Sequence, residues 1–335
     1  MNILFTSAGR RVSLLRSFRR ALQASGGGSI LAADMDPTAP ALFEADKGFL
    51  VPRVSSPDYI SRVIEICKCK SISAVIPLID PELPVLACHK DDLAAIGAVT
   101  VVCAPEAVAI GNDKLATTAF FSSVGIPTAR TFSREEVLNS LTKRERLQFP
   151  MVVKPRHGSS SQGVTLCTDE AELEFYLARY RDLIVQEFLR GEEVTIDILG
   201  DGKGNILSAV PRKRLKVRGG EVERGITVDD APFREFILEI GRHFKPFGAI
   251  NVQCFVTEKG PVFTEINPRF GGGYPLADAA GAGFPELILM LIQGTSPEPR
   301  LGRYQRGLVM CRFDDAFFVS MDRLSGVGGP GGSRE

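Results

Sequence analysis

The chain has 335 residues, with 40 Lys+Arg against 40 Asp+Glu for a formal net charge of zero, 44% apolar and 24% charged residues. This is the composition of an ordinary folded chain, long enough for two or three modules. With no overall positive field, bulk attraction to nucleic acid or to an anionic membrane is excluded, and any phosphate contact has to come from a local site. Seven cysteines form an odd, scattered set; the nearest pair, Cys67 and Cys69, lacks zinc spacing, and only three histidines are available to help.

The start reads as a strand, Asn2–Thr6, with no basic stretch ahead of it to make a signal peptide. Val12, Leu15, Phe18 and Leu22 then recur at helical spacing, with Arg11, Arg16, Arg19 and Arg20 on the other faces. Gly26, Gly27 and Gly28 break that helix before a strand at 30–33. Further strands are predicted at 48–51, 74–79 and 99–102, with helices at 59–67 and 83–93. This alternation over 1–110 implies an α/β module with a parallel, Rossmann-like sheet and right-handed crossovers. The turn Ser7-Ala8-Gly9 offers one glycine where a dinucleotide fingerprint wants three, so NAD is not expected despite Asp34 and Asp36.

From residue 111 the pattern changes. Asn112 or Asp113 caps a helix running to Val124, which Gly125-Ile126-Pro127 terminates. Strands fit 151–154, 164–166 and Leu183–Glu187, with a helix at 170–177. Strands at 194–200, 205–210, 249–256 and 261–266 make a second, mostly antiparallel sheet, accompanied by a helix at 233–244. The apolar stretch Phe284–Ile292 contains Glu286 and is too short to span a bilayer, so a cytoplasmic protein is expected. Gly, Ser and Pro dominate the last residues, and 323–335 reads as a flexible tail.

The chemistry-bearing residues fall in this second part. The loop 158–163, Gly-Ser-Ser-Ser-Gln-Gly, has Walker-like glycine spacing, but Val164-Thr165 stands where Lys-Ser/Thr is required and the loop leads into a strand. It reads instead as a flexible loop whose backbone N–H groups close over phosphates. Lys154 ends the strand before it and Lys114 starts a helix; both are compact charges suited to the α- and β-phosphates of a nucleotide. In the segment 185–193 a strand runs into a short linker whose backbone can read an adenine edge, with Glu193 placed to accept from ribose hydroxyls; a plain hinge between two sheets fits the same residues. The sharpest pattern is Asn251-Val252-Gln253 followed by Glu265-Ile266-Asn267-Pro268-Arg269. Period-two spacing puts Glu265 and Asn267 on one face, and a hairpin brings Gln253 alongside. Oxygen ligands with few charges suit Mg²⁺, which takes its other ligands from water and phosphate. Arg269 points into the same site to neutralise a phosphoryl group in transfer.

The order Asn-Asp-Lys at 112–114, Val-Val-Lys-Pro at 152–155, the Gly/Ser loop, Gln-Glu-Phe-Leu-x-Gly-Glu-Glu at 186–193, Asn-Val-Gln and Glu-Ile-Asn-Pro-Arg resembles the ATP-grasp superfamily. Within it the chain looks most like a single ATP-grasp unit of the carbamoyl-phosphate synthetase large subunit and like the stand-alone carboxylate–amine ligases, over residues 1–295. The resemblance implies a Rossmann-like domain at 1–110, a small ATP-grasp subdomain with the lid at 111–190 and a large subdomain with the metal site at 191–322, the two α+β subdomains clasping ATP. It implies that Lys114 and Lys154 hold the phosphates, with Lys154 and Arg269 serving the transfer, and that Ser159, Ser160, Ser161 and Gly163 belong to a mobile lid. Glu187 and the backbone of Phe188 and Leu189 would bind adenine, Glu193 the ribose, and Gln253, Glu265 and Asn267 one or two Mg²⁺, with Mn²⁺ as a substitute. With one unit in place of two, carbamoyl phosphate is not the expected product.

The substrates are expected between the sheets, near Ser7, Arg10, Asp34, Asp80 and Glu82 at the carboxyl ends of the first sheet's strands. Asp80 and Glu82 suit an ammonium group and Arg10 a carboxylate. The segment 212–218, with Arg212 at its head and five cations in seven residues, reads as a loop that faces a triphosphate or an acidic substrate, or simply as a solvated run. Gly272 and its glycine neighbours let backbone N–H groups approach a carboxylate. The expected activity is ATP- and Mg²⁺-dependent joining of a small-molecule carboxylate and an amine through an acyl phosphate. An ATP-grasp kinase or phosphotransferase and a non-catalytic ATP-binding regulatory module are the alternatives. A homodimer through the first sheet's helices would be ordinary, and neither nucleic acid nor membrane is an expected partner.

Overall fold

A computed structural model describes residues 1–158 and 163–326. The N-terminal layer is a sheet of five parallel strands, β1 (Asn2–Thr6), β2 (Ser29–Asp34), β3 (Lys47–Leu50), β4 (Ile72–Pro77) and β5 (Val99–Thr100), in the order β3-β2-β1-β4-β5. The centre of β1, Ile3–Phe5, is apolar because both its faces are covered. Ile3 and Phe5 pack with Leu15 and Phe18 of the helix Val12–Ala24, while Leu4 packs with Tyr59, Val63 and Ile66 of the helix Asp58–Cys69. The helix expected over 83–93 is two helices, Leu83–Cys88 and Lys90–Ala94, because His89 leaves the helical region at φ −106°, ψ 21°. Pro40–Glu44 and Pro105–Asn112, both led by proline, are helices too brief to show a period in the sequence.

The helix Lys114–Ser123 begins at a true cap, with the Asp113 carboxylate accepting from the backbone N–H groups of Leu115 and Ala116. A small antiparallel sheet follows, made of β6 (Thr131–Ser133), β7 (Met151–Pro155), β8 (Thr165–Cys167) and β9 (Leu183–Glu187) in the order β6-β9-β7-β8. Val137, Leu173 and Leu177 of the helices Arg134–Thr142 and Glu170–Arg179 bury Val153 and Val185 on one of its faces.

The large sheet is antiparallel: β10 (Glu192–Asp201), β11 (Ile206–Arg218), β12 (Glu221–Thr227), β13 (Phe247–Thr257), β14 (Gly260–Asn267) and β15 (Val309–Cys311), ordered β14-β13-β10-β11-β12-β15. Residues 212–218 are therefore strand and not loop; their alternating cations hid the pairing of β11 with β12. One face carries Val194, Ile196, Val252 and Cys254 against Ile237, Ile240 and Phe244 of the helix Arg234–Phe244, and against Phe120 and Phe121. The opposite face is split. Leu199, Val210 and Ala249 pack with Phe18, Phe270 and Phe284 in the core shared with the parallel sheet, and the rest of that face is polar. Met321–Ser325 is a short helix near the start of the expected tail, whose residues from 327 onward lie outside the described ones. No helix among the described residues is long and apolar enough to cross a membrane.

The turn after β1 is held from two sides. Ser7 occupies the left-handed region at φ 46°, and Gly9 follows at φ 49°. Asp34 accepts from the Gly9 backbone N–H (2.7 Å), and Ser7 Oγ donates to Glu82 (2.9 Å). Glu82 also accepts from Tyr59 Oη (2.6 Å) and from the backbone N–H groups of Leu78 (2.7 Å) and Ile79 (3.1 Å). It is 0% exposed, and burial pushes its carboxyl pKa up against the hydrogen bonds that favour the ionised form. Glu82, expected from the sequence to hold an ammonium group, instead braces this turn and has no surface to offer a substrate. Glu82→Ala orphans several buried donors and is expected to cost about 3 kcal/mol, read as a lower urea midpoint. A midpoint equal to that of the wild type would show that the carboxylate does not hold the turn.

Candidate active site

A cleft of about 290 Å³ opens between the small sheet and the polar half of the large sheet's face. Lys154 enters it from β7, alternating with Val153, which points into the small core; the lysine is only 9% exposed. Its Nζ donates to Gln186 Oε1 (2.9 Å), and Gln186 Nε2 donates to Thr131 Oγ1 (2.7 Å). Burial, reinforced by the charge of Lys114, lowers the Lys154 pKa to about 8, although Glu265 and Glu193 act in the opposite sense. Lys114 is the first residue of its helix, is equally buried and donates through Nζ to Gly158 O (2.7 Å). Arg156 grips the capping Asp113 with two hydrogen bonds (2.5 and 2.9 Å), which fixes the helix start against the chain leaving β7.

Four strands of the large sheet floor the cleft. Register places Arg212 of β11, Thr195 of β10, Gln253 of β13 and Glu265 of β14 in one cross-strand row, with Asp197, Asn251 and Asn267 in the next. A bulge makes the second half of this possible. Gln253 pairs with Glu265 but Cys254 pairs with Phe263, so Phe263 and Ile266 both reach the core while Glu265 and Asn267 face the cleft. The side chains of Gln253 and Glu265 make no hydrogen bond to any described residue. Asn267 Nδ2 donates to Asn251 Oδ1 (3.4 Å), and Asn251 Nδ2 donates to Arg269 O (3.1 Å). Arg269 Nη2 donates to Asp80 (2.8 Å) and to Asn267 Oδ1 (3.2 Å). Asp80, expected to hold an ammonium group, thus orients Arg269.

The other expected residues divide. Phe188 and Leu189 line the cleft, and their backbone groups bond no other described residue. Glu187 lines it too, but its carboxylate is engaged by the backbone and side chain of Arg130 (2.9 Å each), and Glu193 is paired with Arg214. Arg212 is 2% exposed and ion-paired with Asp197 (2.6 and 3.2 Å), with Gly272 in the wall nearby. Arg10 faces a smaller recess behind Gly271 and Gly272 instead of the cleft. Gly163 packs on Pro155 outside the cleft lining. Ser159, Ser160 and Ser161 lie outside the described residues. Asp197, Thr195 and Gln186 escaped the sequence reading, although counting by two along β10 from Glu193 puts Thr195 and Asp197 on the cleft face.

The fold is that of ATP-grasp proteins. Residues 179–313 match the family model described as ATP-grasp in the biosynthetic pathway with Ter operon, residues 120–217 the D-ala D-ala ligase C-terminus, and residues 3–102 the PylC-like N-terminal domain. A D-alanine–D-alanine ligase of Acetivibrio thermocellus is 29% identical over 67% of this chain and 68% of its own length. A carbamoyl-phosphate synthase of Methanobrevibacter smithii is 27% identical over 46% of this chain but only 41% of its own length. The chain thus spans between two fifths and two thirds of these curated relatives. Among solved structures, the biotin carboxylase domain of Hydrogenobacter thermophilus 2-oxoglutarate carboxylase superposes with a TM-score of 0.74 at 16% identity, over 92% of this chain and 73% of that one. The N5-carboxyaminoimidazole ribonucleotide synthetase of Thermus thermophilus superposes with a TM-score of 0.68 at 19% identity, over 90% and 81%. The matches over residues 120–313 and the fold are similar to those of ATP-grasp proteins, with D-alanine–D-alanine ligases among the relatives.

The buried ammonium of Lys154 sets a stability prediction for the ligand-free protein. Its pKa is about 8 in the fold against an ordinary 10.5, so between these values the unfolded chain binds the proton that the native chain has shed. Stability therefore rises as pH increases through that window. Lys154→Met should remove this rise and stabilise the ligand-free protein at neutral pH by about 2 kcal/mol. Thermal unfolding between pH 7 and 10.5 measures both; equal pH profiles for variant and wild type would mean that the lysine is hydrated.

Proposed function

We propose that the cleft binds ATP with Mg²⁺ and that the protein is a carboxylate–amine ligase, acting on a small amino acid or related metabolite through an acyl phosphate. One observation carries this reading: two buried ammonium groups, Lys114 and Lys154, share the cleft with a carboxylate and an amide, Glu265 and Gln253, that bond no described residue. Buried cations with no acid in contact call for an anion, and idle oxygens beside them call for a cation. Mg²⁺ bound to a nucleotide supplies both.

Lys114 and Lys154 hold the phosphates, and the backbone of Phe188 and Leu189 reads the adenine edge. Glu193 stands beside the ribose with Arg214 steadying it. Gln253, Glu265 and Asn267 hold the metal, which when bound neutralises phosphoryl charge. No group of three or more His, Cys, Asp and Glu side chains disposed for a metal occurs among the described residues, so this cation rests on one carboxylate and two amides. Such a site is weak until phosphate oxygens complete it. Arg269, aimed by Asp80, offers its guanidinium to the group in transfer. The carboxylate oxygen attacks the γ-phosphorus, ADP leaves, and the amine then displaces phosphate from the acyl carbon. The Hydrogenobacter domain was solved as a dimer with MgADP and bicarbonate, which supports the nucleotide assignment and makes a homodimer part of the reading.

The test is Mg²⁺-dependent release of ADP and phosphate against single and paired amino acids, with hydroxylamine to trap the acyl phosphate. A stable phosphoester in place of the hydroxamate would make the protein a kinase. Glu265→Gln should cut turnover by about 100-fold or more with an unchanged melting temperature; wild-type turnover would remove the metal assignment. Glu193→Ala should raise the KM for ATP several-fold, and an unchanged KM would take the ribose role from that residue.

A further inference from the structure

On β11, at the floor of the cleft, one polar atom is left without a partner among the described residues, at considerable cost. Arg212 is 2% exposed and its Nε and Nη2 donate to Asp197, but Nη1 has no hydrogen-bond partner among the described residues. A buried guanidinium edge with unsatisfied donors is unfavourable unless something else completes it. The glycines above it are shaped to that edge: a Cβ on Gly273 would fall 2.2 Å from Arg212 Nη1, and one on Gly271 would fall 3.0 Å from Nη2. Side chains are excluded there, and both glycines line the cleft together with Arg212.

This cation is separate from the phosphate lysines. It lies on β11, whereas Lys154 lies on β7 and Lys114 begins a helix. Asn251 links its surroundings to the chain at Arg269: it bonds the Arg269 carbonyl and lies 3.4 Å from where a Gly271 Cβ would be, next to the Arg212 guanidinium. Behind the glycines, a recess lined by Arg10, Arg11 and Arg312 shares Gly271 and Gly272 with the cleft. The cleft therefore presents two arginines, each oriented by an aspartate, Arg269 by Asp80 and Arg212 by Asp197.

Building on the ligase reading, we propose that the substrate activated here is a dicarboxylate: one carboxylate lies at Arg269 for phosphorylation, and the other seats on Arg212 against the glycine turn. Asp197 is a positioning residue that turns the unpartnered Nη1 toward that seat. A monocarboxylate such as alanine leaves Nη1 unsatisfied and binds poorly.

The probe set is succinate, glutarate and L-glutamate against butyrate and L-alanine, titrated calorimetrically into the protein saturated with MgADP. Two variants are compared with the wild type. Arg212→Lys keeps a charge beside Asp197 but lacks the fork. The double variant Asp197→Leu/Arg212→Met removes the pair without stranding a buried charge. The wild type is expected to bind at least one dicarboxylate tenfold or more tightly than either monocarboxylate, and both variants should lose that preference while keeping their affinity for MgADP. Equal binding of mono- and dicarboxylates, a preference that survives in both variants, or no binding of any acid would overturn the proposal. MgADP affinity and Mg²⁺-dependent ADP release, measured in parallel, report on the ligase reading separately: their loss in the wild type would sink that reading, whatever the acids do.

Discussion

The exclusion of water from Lys154 is the constraint around which the cleft is arranged. A lysine at 9% exposure keeps its charge only at a cost, and the fold meets that cost with Gln186 and with the more distant carboxylates of Glu265 and Glu193. None of these is a close ion pair. Were one of the acids in contact, the ammonium would be satisfied and there would be no reason for an anion to enter. The site is thus poised by incompleteness: the cation is buried, hydrogen-bonded and aimed, but not neutralised. Such a site trades stability of the ligand-free protein for affinity, and that is tolerable because the surrounding strands are held by apolar cores on their other faces.

The acids are used in the same spirit. A chain of zero net charge has no global field to gather a nucleotide, yet its cleft is cationic, because the carboxylates nearby orient arginines instead of opposing a ligand. Asp113 fixes Arg156, Asp80 fixes Arg269, Asp197 fixes Arg212 and Glu193 fixes Arg214. A guanidinium has donors to spare after a two-point bond to a carboxylate, so each pair still presents a positive edge. Glu265 stands apart from this scheme. It pairs with no arginine among the described residues, which leaves it free for the proposed cation.

Much of this was legible in the sequence where chemistry and periodicity coincide. The parallel strands follow apolar runs, Asp113 is a visible cap, and Glu265 with Asn267 follows the period of a strand. The bulge that separates Phe263 from Glu265 was not visible, because a two-residue count alone would put both on one face. Glu82 and Asp80 were misread for a related reason. Each lies at the carboxyl end of a parallel strand, where ligands gather, but only the fold shows that Glu82 is enclosed by Tyr59 and backbone donors and that Asp80 meets an arginine 189 residues away. Arg212 stood out only as the head of a cationic run that reads as a loop facing an acidic ligand or as a solvated run, whereas pairing with β10 turns alternate members of that run inward.

The two ends of the cleft carry different kinds of information. Toward β7 and β14, the proposed recognition rests on lysines, backbone edges and oxygen donors that any nucleotide and divalent cation would satisfy. The fold that presents them recurs at 16% and 19% identity, so few particular residues are needed to maintain it. Toward β11, recognition rests on one guanidinium whose orientation depends on Asp197 and whose access depends on three consecutive glycines. Nothing about binding a nucleotide requires that arrangement, and it costs a buried unsatisfied donor to keep. The identity of the substrate is therefore written at the Arg212 end, where the sheet crosses from its polar half to the core shared with the parallel strands and where a change of one side chain alters the charge a ligand must bring.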